Sequence, residues 1–157
     1  MTQPPQVAID AARASMATWK IPASVSLAQW ALESGWGTRT SGKFNYGGIT
    51  AKVKDAVFPF VPGTPLEPAT LCATHENWQG KRVACKRWFK DFPSLEAYFI
   101  AHAKLLATGT AYVKARAKLP DPFAFANALT GVYATDPNYG ATLGSIMRGS
   151  SLTRFDK

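Results

Sequence analysis

An apolar pattern with helical spacing over residues 22–34 stops abruptly at Ser34-Gly35-Trp36-Gly37. Glycine directly after the last periodic residue usually ends a helix, because it adopts the left-handed backbone conformation without strain. Residues 35–68 are then rich in Gly and Pro, which predicts loop with short extended pieces such as residues 56–58. The pattern therefore predicts a helix that leads directly into an irregular lobe, and we expect this lobe to close one side of a cleft.

Helical periodicity also covers the N-terminal segment and most of the second half of the chain. Besides residues 22–34, we predict helices over residues 5–19, 94–108, 111–118, 121–131 and 136–148. His102 falls on the apolar face of its helix, where we expect a satisfied core histidine. With 157 residues and 46% hydrophobic content, the chain can bury its own core, and we predict one domain over residues 1–157.

Residues 70–90 alternate like two strands and predict a β-hairpin with its turn at residues 77–80. That turn places Cys72 directly opposite Cys85, with Cα atoms about 4.5–5.5 Å apart, which suits a disulfide. We therefore predict a Cys72–Cys85 disulfide and exposure of the folded protein to an oxidising compartment. Two reduced cysteines on a short hairpin are the alternative. Mostly helix with one small hairpin is the pattern of an α+β fold.

Glu33 lies at the end of the helix predicted over residues 22–34, close in sequence to Trp30, Leu32 and Trp36. Apolar surroundings disfavour the charged form of a carboxyl group and raise its pKa. A carboxyl group that stays protonated near neutral pH is what the general acid of a glycoside hydrolase requires. An ordinary surface glutamate in the last turn of a helix is the alternative.

Five short motifs extend the argument over roughly residues 20–147. In order, they are ALESGWG at 31–37, FNYGGI at 44–49, THE at 74–76 with Phe89, FPSLEAY at 92–98, and GVYATDPNY at 131–139. Through them the chain resembles the glycoside hydrolase family 73 domain, a group of peptidoglycan N-acetylglucosaminidases that includes the wall-cutting half of flagellar rod-assembly proteins. The resemblance implies a lysozyme-like α+β fold, mostly helical, with one small β-hairpin lobe beside the cleft.

The same resemblance implies three catalytic residues. Glu33 would be the general acid, Glu76 on the hairpin would be the second carboxylate, and Tyr133 would position the substrate or stabilise the transition state. For Glu76, a plain cross-strand ion pair with Lys81 in the predicted register is the alternative. In this family the role of the second residue is unsettled, and the substrate's own N-acetyl group can act as the nucleophile instead.

Aromatic and amide side chains near the motifs are candidates for substrate binding. They are Asn45, Tyr46, Trp36, Tyr139 and Trp78, each of which could equally pack in the core. Asp55, Glu67 and Asp91 are reserve carboxylates. Two cysteines and two histidines without metal-ligand spacing predict no metal site, and we expect no cofactor.

We therefore predict a peptidoglycan hydrolase that cleaves the β-1,4 bond on the reducing side of N-acetylglucosamine. A muramidase or lytic transglycosylase, and a non-catalytic wall-binding module, are the alternatives. A nucleic-acid binder, favoured by the net charge of +8, is a further alternative. The chain carries no helix-turn-helix, zinc-finger or RNA-recognition signature, so we expect an anionic wall polymer and no nucleic acid.

The biological setting follows from what the sequence lacks. No apolar run approaches the ~18 residues that span a bilayer, and residues 1–20 lack a basic region followed by a long apolar core. We expect a monomer without a Sec signal peptide that acts in the periplasm or outside the cell. A phage lysin fits, and so does an antibacterial effector injected by a contact-dependent secretion machine, whose producer would need an immunity protein that plugs the cleft.

Overall fold

The computed structural model describes residues 2–157, which form six α-helices and two small antiparallel sheets. The helices are α1 (Gln6–Trp19), α2 (Ala23–Ser34), α3 (Leu95–Thr108), α4 (Val113–Arg116), α5 (Pro122–Ala128) and α6 (Tyr139–Gly149). Strands β1 (Val53–Lys54) and β2 (Thr64–Pro65) form one sheet, and β3 (Ala69–Trp78) and β4 (Lys81–Lys90) form the hairpin. The predicted mostly helical α+β fold with one hairpin lobe is confirmed.

Helix α2 is the centre of the molecule. Ten of its residues are buried, and α1, α3, α5 and α6 all pack against it. Burial on nearly every side makes α2 a core helix. It ends as the sequence predicts: Gly35 adopts the left-handed conformation at φ 58°, and its N–H donates to the carbonyl of Ala31. Leu32 and Glu33 are half-buried, so only the last turn of the helix reaches the surface.

Most of the other predicted helices are present with small shifts. Ser94 caps α3, because its Oγ accepts a 3.1 Å hydrogen bond from the N–H of Ala97. The segment predicted as a helix over residues 111–118 is a 3₁₀ turn at Thr110–Tyr112 followed by the single turn of α4. Helix α6 begins at Tyr139 rather than at residue 136, because Asp136 accepts a hydrogen bond from the N–H of Asn138 and forms a turn there. A final 3₁₀ turn at residues 152–155 was not predicted.

The hairpin register differs from the prediction by one residue at the turn. Gln79 and Gly80 form a two-residue loop with φ values of 48° and 75°. Such tight turns need positive φ at both central positions, which favours glycine there. The predicted centre would have required positive φ at Trp78, a bulky residue for which this conformation is unfavourable.

The predicted Cys72–Cys85 disulfide is therefore wrong in this structure. Cys72 lies opposite Arg87, Cys85 lies opposite Thr74, and both cysteines are free. The alternative reading of Glu76, an ion pair with Lys81, fails for the same reason, because Glu76 lies opposite Val83.

The Gly- and Pro-rich segment docks on the base of the hairpin. The N–H of Ala51 donates to the carbonyl of Trp88, and the N–H of Lys90 donates to the carbonyl of Ile49, each at 2.9 Å. Within this segment the extended stretch predicted at residues 56–58 contributes only a single bridge, between Val57 and Val61. Within residues 2–157, no helix has both the length and the apolar character needed to cross a membrane.

Candidate active site

Glu33 projects from the last turn of α2 into a group of tyrosine hydroxyls. Tyr139 Oη donates a 2.9 Å hydrogen bond to Glu33 Oε1, and Tyr133 Oη donates a longer bond of 3.4 Å to Oε2. Tyr139 begins α6, whereas Tyr133 lies in the turn between α5 and α6. The late GVYATDPNY motif and the first acidic motif therefore meet at one carboxyl group, although the two tyrosines lie 100 and 106 residues after Glu33 in sequence.

Burial raises the pKa of Glu33 to about 7, against a partial opposing effect of the two tyrosine hydrogen bonds. Burial acts in this direction because it removes water from the charged form, whereas hydroxyl donors stabilise that form. The last turn of a helix adds to the upward effect, since the helix dipole places partial negative charge there. The protonated form of Glu33 is thus available near neutral pH, as a general acid requires.

Each tyrosine hydroxyl is held by a second polar group. Gln29 Nε2 donates a 2.8 Å hydrogen bond to Tyr139 Oη, so that the hydroxyl hydrogen of Tyr139 is directed at Glu33. His102 Nε2 lies 3.2 Å from Tyr133 Oη. Burial lowers the pKa of His102 to about 4, so this imidazole is neutral and can donate one N–H to Tyr133. The predicted core histidine is confirmed in its burial, and it also contacts the site.

An open pocket forms where Glu33 meets the loop after α2. Besides Glu33, its lining residues are Arg39, Thr40, Ser41, Tyr46, Gly47 and Gly48. Of these, Tyr46 was predicted as a substrate contact, and it packs edge-to-face on Trp30 at 6.2 Å. Arg39, Thr40 and Ser41 were missed, because they lie between the two motifs and have no pattern of their own. Their position directly after the helix that carries the acid was the available signal.

Two of the predicted aromatic contacts lie elsewhere. Trp36 packs edge-to-face on Trp30 at 6.2 Å and lines a shallow groove with residues of α6. Trp78 lies at the tip of the hairpin against Phe58 and Phe60, with ring centroids 5.6 and 6.0 Å away. Neither tryptophan lines the pocket at Glu33. Their substrate-binding roles stay predictions.

Asn45 is fully buried beneath the pocket and supports its wall. Its Nδ2 donates to the carbonyls of Ile49 and Lys90 at 2.8 and 2.9 Å, and its Oδ1 accepts from the N–H of Ile49 at 3.0 Å. These bonds close the FNYGGI loop on itself and fasten it to the hairpin base. In this conformation Asn45 can influence a substrate only through the loop that it shapes.

Glu76 is not among the residues that line the pocket at Glu33. Its Oε1 accepts a 2.7 Å hydrogen bond from Arg87 Nη1 across the hairpin, and both side chains are about one-third exposed. Arg87 also lies over the ring of Phe58, 5.7 Å from its centroid. The catalytic role of Glu76 stays a prediction, and in this structure its carboxylate is paired.

Two of the reserve carboxylates accept hydrogen bonds from backbone N–H groups. Asp91 Oδ1 accepts from the N–H of Lys43 at 2.9 Å and from the hydroxyl of Thr70 at 2.7 Å. Glu67 accepts from the N–H of Lys52 at 2.8 Å and forms an ion pair with Lys90 at 3.1 Å. Across residues 2–157, no three His, Cys, Asp or Glu side chains come together in a cluster that could hold a metal ion.

A helical core around one buried helix, a hairpin lobe, and a protonatable carboxyl group at the junction define a lysozyme-like glycoside hydrolase domain. The chain belongs to the Glucosaminidase family, glycoside hydrolase family 73. The family profile, described as mannosyl-glycoprotein endo-β-N-acetylglucosaminidase, matches residues 9–152. The resemblance found in the sequence is confirmed, and so is the predicted enzyme class, a glycoside hydrolase, at the level of this domain.

Individual relatives agree with the family. The chain is 37% identical over 139 residues to a probable N-acetylmuramidase of Lactococcus lactis, covering 85% of this chain and 30% of that protein. The catalytic domain of the autolysin Auto from Listeria monocytogenes has the same fold, with a TM-score of 0.77, 24% identity, and coverage of 99% of this chain and 91% of that one. A peptidoglycan hydrolase mutant from Sphingomonas sp. A1 has a TM-score of 0.72 and 28% identity, covering 96% and 97% of the two chains. The chain spans about 30% of the length of the Lactococcus protein.

Proposed function

We propose that this chain hydrolyses the β-1,4 glycosidic bond of peptidoglycan on the reducing side of N-acetylglucosamine, with Glu33 as the general acid. The observation that carries the proposal is the state of Glu33. Burial holds its pKa at about 7, and the carboxyl group opens into the pocket between α2 and the FNYGGI loop. Of the groups at this pocket, Glu33 is the carboxyl group that can transfer a proton near neutral pH.

The proposed reaction begins with a glycan strand in the pocket. Neutral Glu33 transfers its proton to the glycosidic oxygen as the bond to the sugar breaks, which avoids a charged leaving group. The carboxylate that remains is stabilised by the hydroxyls of Tyr139 and Tyr133. The same carboxylate can then take a proton from the water that completes hydrolysis, which restores the starting state.

The positive charge that develops on the sugar ring needs a second group. The Glu76 carboxylate would stabilise this charge if substrate binding separates Glu76 from Arg87. In this structure Arg87 Nη1 lies 2.7 Å from Glu76 Oε1. The N-acetyl group of the substrate would stabilise the charge instead if Glu76 stays paired with Arg87. The position of Glu76 outside the residues that line the Glu33 pocket favours the second route.

Cleavage after N-acetylmuramic acid is the competing specificity. The relatives from Lactococcus lactis carry the name probable N-acetylmuramidase, which favours that bond, whereas the family profile favours the glucosaminidase bond. A muramidase leaves a reducing N-acetylmuramic acid, a lytic transglycosylase leaves an anhydro product, and a glucosaminidase leaves a reducing N-acetylglucosamine.

The test is digestion of purified Gram-negative peptidoglycan by wild type and Glu33→Gln, followed by borohydride reduction and mass spectrometry of the fragments. We expect clearing by wild type alone, with N-acetylglucosaminitol at the new ends. Muraminitol or anhydro ends would replace the proposed bond by one of its competitors. Binding to the wall without clearing by either protein would indicate a non-catalytic wall-binding module.

For the biological setting, we propose that the chain acts as a monomer in the periplasm. An antibacterial secretion machine or phage lysis would deliver it there. An effector would require an immunity protein that covers the cleft. Expression in a Gram-negative laboratory host with and without an added periplasmic export signal tests the site of action. We expect lysis only with the export signal, and lysis from the cytoplasm would contradict a target in the cell wall. Protection by a neighbouring gene would then separate an effector from a lysin.

A further inference from the structure

Tyr98 carries a hydroxyl group that is buried beside Glu33 and has no hydrogen-bond partner. The side chain lies on α3 and is 1% exposed. Its Oη is one of five buried side-chain polar atoms that lack a partner in the part of the chain that the structure describes. An unpaired buried hydroxyl costs about 1–3 kcal/mol. Few buried groups are left in this state in folded proteins, so each one calls for a physical reason.

Gly47 shows where this hydroxyl points. A Cβ atom on Gly47 would overlap Tyr98 Oη and would lie 2.8 Å from Glu33 Oε2. The absent side chain of Gly47 thus marks the space between the phenol and the carboxyl group. Tyr98 Oη and Glu33 Oε2 therefore border the same small space, with no hydrogen bond between them. Oε2 is the oxygen to which Tyr133 donates only the longer bond of 3.4 Å.

The ring of Tyr98 is fixed, so only its hydroxyl hydrogen is free to turn. Four aromatic rings pack around it with centroids between 5.5 and 5.8 Å away, those of Tyr46, Phe92, Phe99 and His102. The O–H bond has two preferred directions in the plane of the ring, and turning from one to the other redirects the hydroxyl dipole without moving any ring. No other group competes for the hydrogen, since Oη has no hydrogen-bond partner among the described residues.

We propose that Tyr98 is a positioning residue for Glu33, whose hydroxyl hydrogen turns toward Oε2 when the carboxyl group ionises. The inference rests on the proposed function, in which Glu33 loses its proton to the leaving oxygen. Before that step the neutral carboxyl group attracts the hydroxyl dipole only weakly, and the hydroxyl stays unpaired. After it, the negative charge attracts the dipole strongly, because the Tyr98 hydroxyl is buried and electrostatic interactions are weakly screened there. An interaction that appears only as charge develops lowers the barrier without tightening ground-state binding.

The first test measures the pKa of Glu33 directly, without any substrate. The chain has four glutamates, Glu33, Glu67, Glu76 and Glu96, so carbon-13 labelling of the glutamate side-chain carboxyls gives four signals, and Glu33→Gln assigns one of them. In Tyr98→Phe we expect the pKa of Glu33 to rise by about one pH unit, since a donor to the charged form is lost. An unchanged or lower pKa would overturn the proposal.

Tyr112→Phe is the matched control. It removes the same atom from a half-exposed tyrosine whose ring lies 6.2 Å from that of Tyr133, and Tyr112 is not one of the two hydroxyls bonded to Glu33. We expect this variant to leave the titration of Glu33 within about 0.2 pH unit of wild type, because dipole interactions fall off steeply with distance. An equal rise in both variants would mean that the loss of any nearby hydroxyl suffices, and would contradict a specific role for Tyr98.

Thermal unfolding shows whether Tyr98→Phe keeps the fold. We expect an unchanged or higher melting temperature, because the substitution removes an unpaired polar atom and leaves the ring packing intact. A second titration needs no change at Tyr98. The carbon-13 signal of the Tyr98 ring carbon bonded to oxygen should move with a midpoint near the pKa of Glu33 in wild type and should not move in Glu33→Gln. A flat titration in wild type would overturn the proposal even if Tyr98→Phe did not fold.

The two proposals can fail separately. If wild type cleaves no peptidoglycan, the proposed function fails, and the carboxyl titration still decides whether Tyr98 acts on Glu33. If cleavage occurs and Tyr98→Phe titrates like wild type, only the role of Tyr98 fails. Where both hold, the alkaline limb of the pH profile of kcat/KM moves upward in Tyr98→Phe by the same amount as the pKa of Glu33, because the general acid must be protonated.

Discussion

Tyr139 places its hydroxyl 2.9 Å from Glu33 Oε1, and 106 residues separate the two in sequence. The Tyr139 hydroxyl also accepts a 2.8 Å hydrogen bond from Gln29 Nε2, so its own hydrogen is directed at Glu33. Gln29 and Glu33 both belong to α2, one turn apart, and Tyr139 bridges them from α6. The bridge fixes which way the carboxyl group faces and links its orientation to the packing of two core helices.

Tyr139→Phe removes this bridge while leaving a ring of the same shape. We expect kcat/KM for wall cleavage to fall about 10- to 100-fold, since a hydrogen bond to a charged group is worth about 1.5–3 kcal/mol. We also expect the pKa of Glu33 to rise, because a donor to the charged form is gone. Initial rates at several pH values measure both effects. An alkaline limb that moves to lower pH would contradict the role assigned to Tyr139.

The burial of Glu33 also makes a prediction about stability. Its pKa is raised from 4.5 to about 7 in the folded state, so folding favours the protonated form. This contribution to the free energy of unfolding is fully present below pH 4.5 and is lost as the pH rises through about 7. Glu33→Gln keeps the shape without the charge, so above pH 7 it should exceed wild type in stability by roughly 3 kcal/mol.

Urea unfolding of wild type and Glu33→Gln at pH 4 and pH 8 measures this difference. The gap between the two proteins should be small at pH 4 and several-fold larger at pH 8. A gap that does not change with pH would mean that Glu33 titrates normally, and would remove the basis for its role as a general acid.

Glu76 and Arg87 form a pair that can separate a catalytic carboxylate from a structural one. Both Glu76→Gln and Arg87→Gln break the 2.7 Å ion pair, and each should cost at most about 1 kcal/mol because both side chains are partly exposed. If Glu76 serves only the hairpin, the two variants lose the same small share of activity. If Glu76 acts on the sugar, Glu76→Gln loses about 100-fold or more, and Arg87→Gln retains most of its activity.

Substrate-assisted chemistry predicts the first of these outcomes, and we expect it from the pairing seen here. Wall-clearing rates of the two variants at equal protein concentration provide the measurement. A selective loss in Glu76→Gln would establish the two-carboxylate mechanism and would require the hairpin to move when substrate binds.

The sequence was sufficient for the parts of the site that depend on local order. Glu33 at a glycine-terminated helix end and Tyr133 in the late tyrosine motif come together in the structure, because each motif is short and its backbone geometry is set by neighbouring residues. The hairpin register was not predictable in the same way. It depends on whether Gly80 or Trp78 takes a positive φ value, and a shift of one residue at the turn changes every pair along both strands.

The polar groups that pack behind Glu33 could not be predicted from the sequence either. Gln29, Tyr98 and His102 lie on helices whose patterns indicate only that one face is buried, and an apolar face does not reveal a hydroxyl left unpaired within it. Asn45 was predicted as a substrate contact because it lies in a glycine-rich motif. Its actual bonds are to backbone groups 4 and 45 residues away, which no local pattern shows.

Asn45 gives the last prediction, on how the pocket wall is held. Its amide makes three buried hydrogen bonds that join the FNYGGI loop to the hairpin base. Asn45→Ala leaves the N–H of Ile49 without its partner and removes one hydrogen bond from each of the Ile49 and Lys90 carbonyls, although the Ile49 carbonyl keeps its bond from the N–H of Lys90. We expect a loss of about 2–4 kcal/mol in unfolding free energy. Asn45→Asp keeps the acceptor for the N–H of Ile49 but sets a carboxylate against the carbonyls of Ile49 and Lys90, so it should be at least as destabilising. Denaturant unfolding measures both variants. Full stability in Asn45→Asp would show that the two donated bonds contribute nothing, and would return Asn45 to the list of direct substrate contacts.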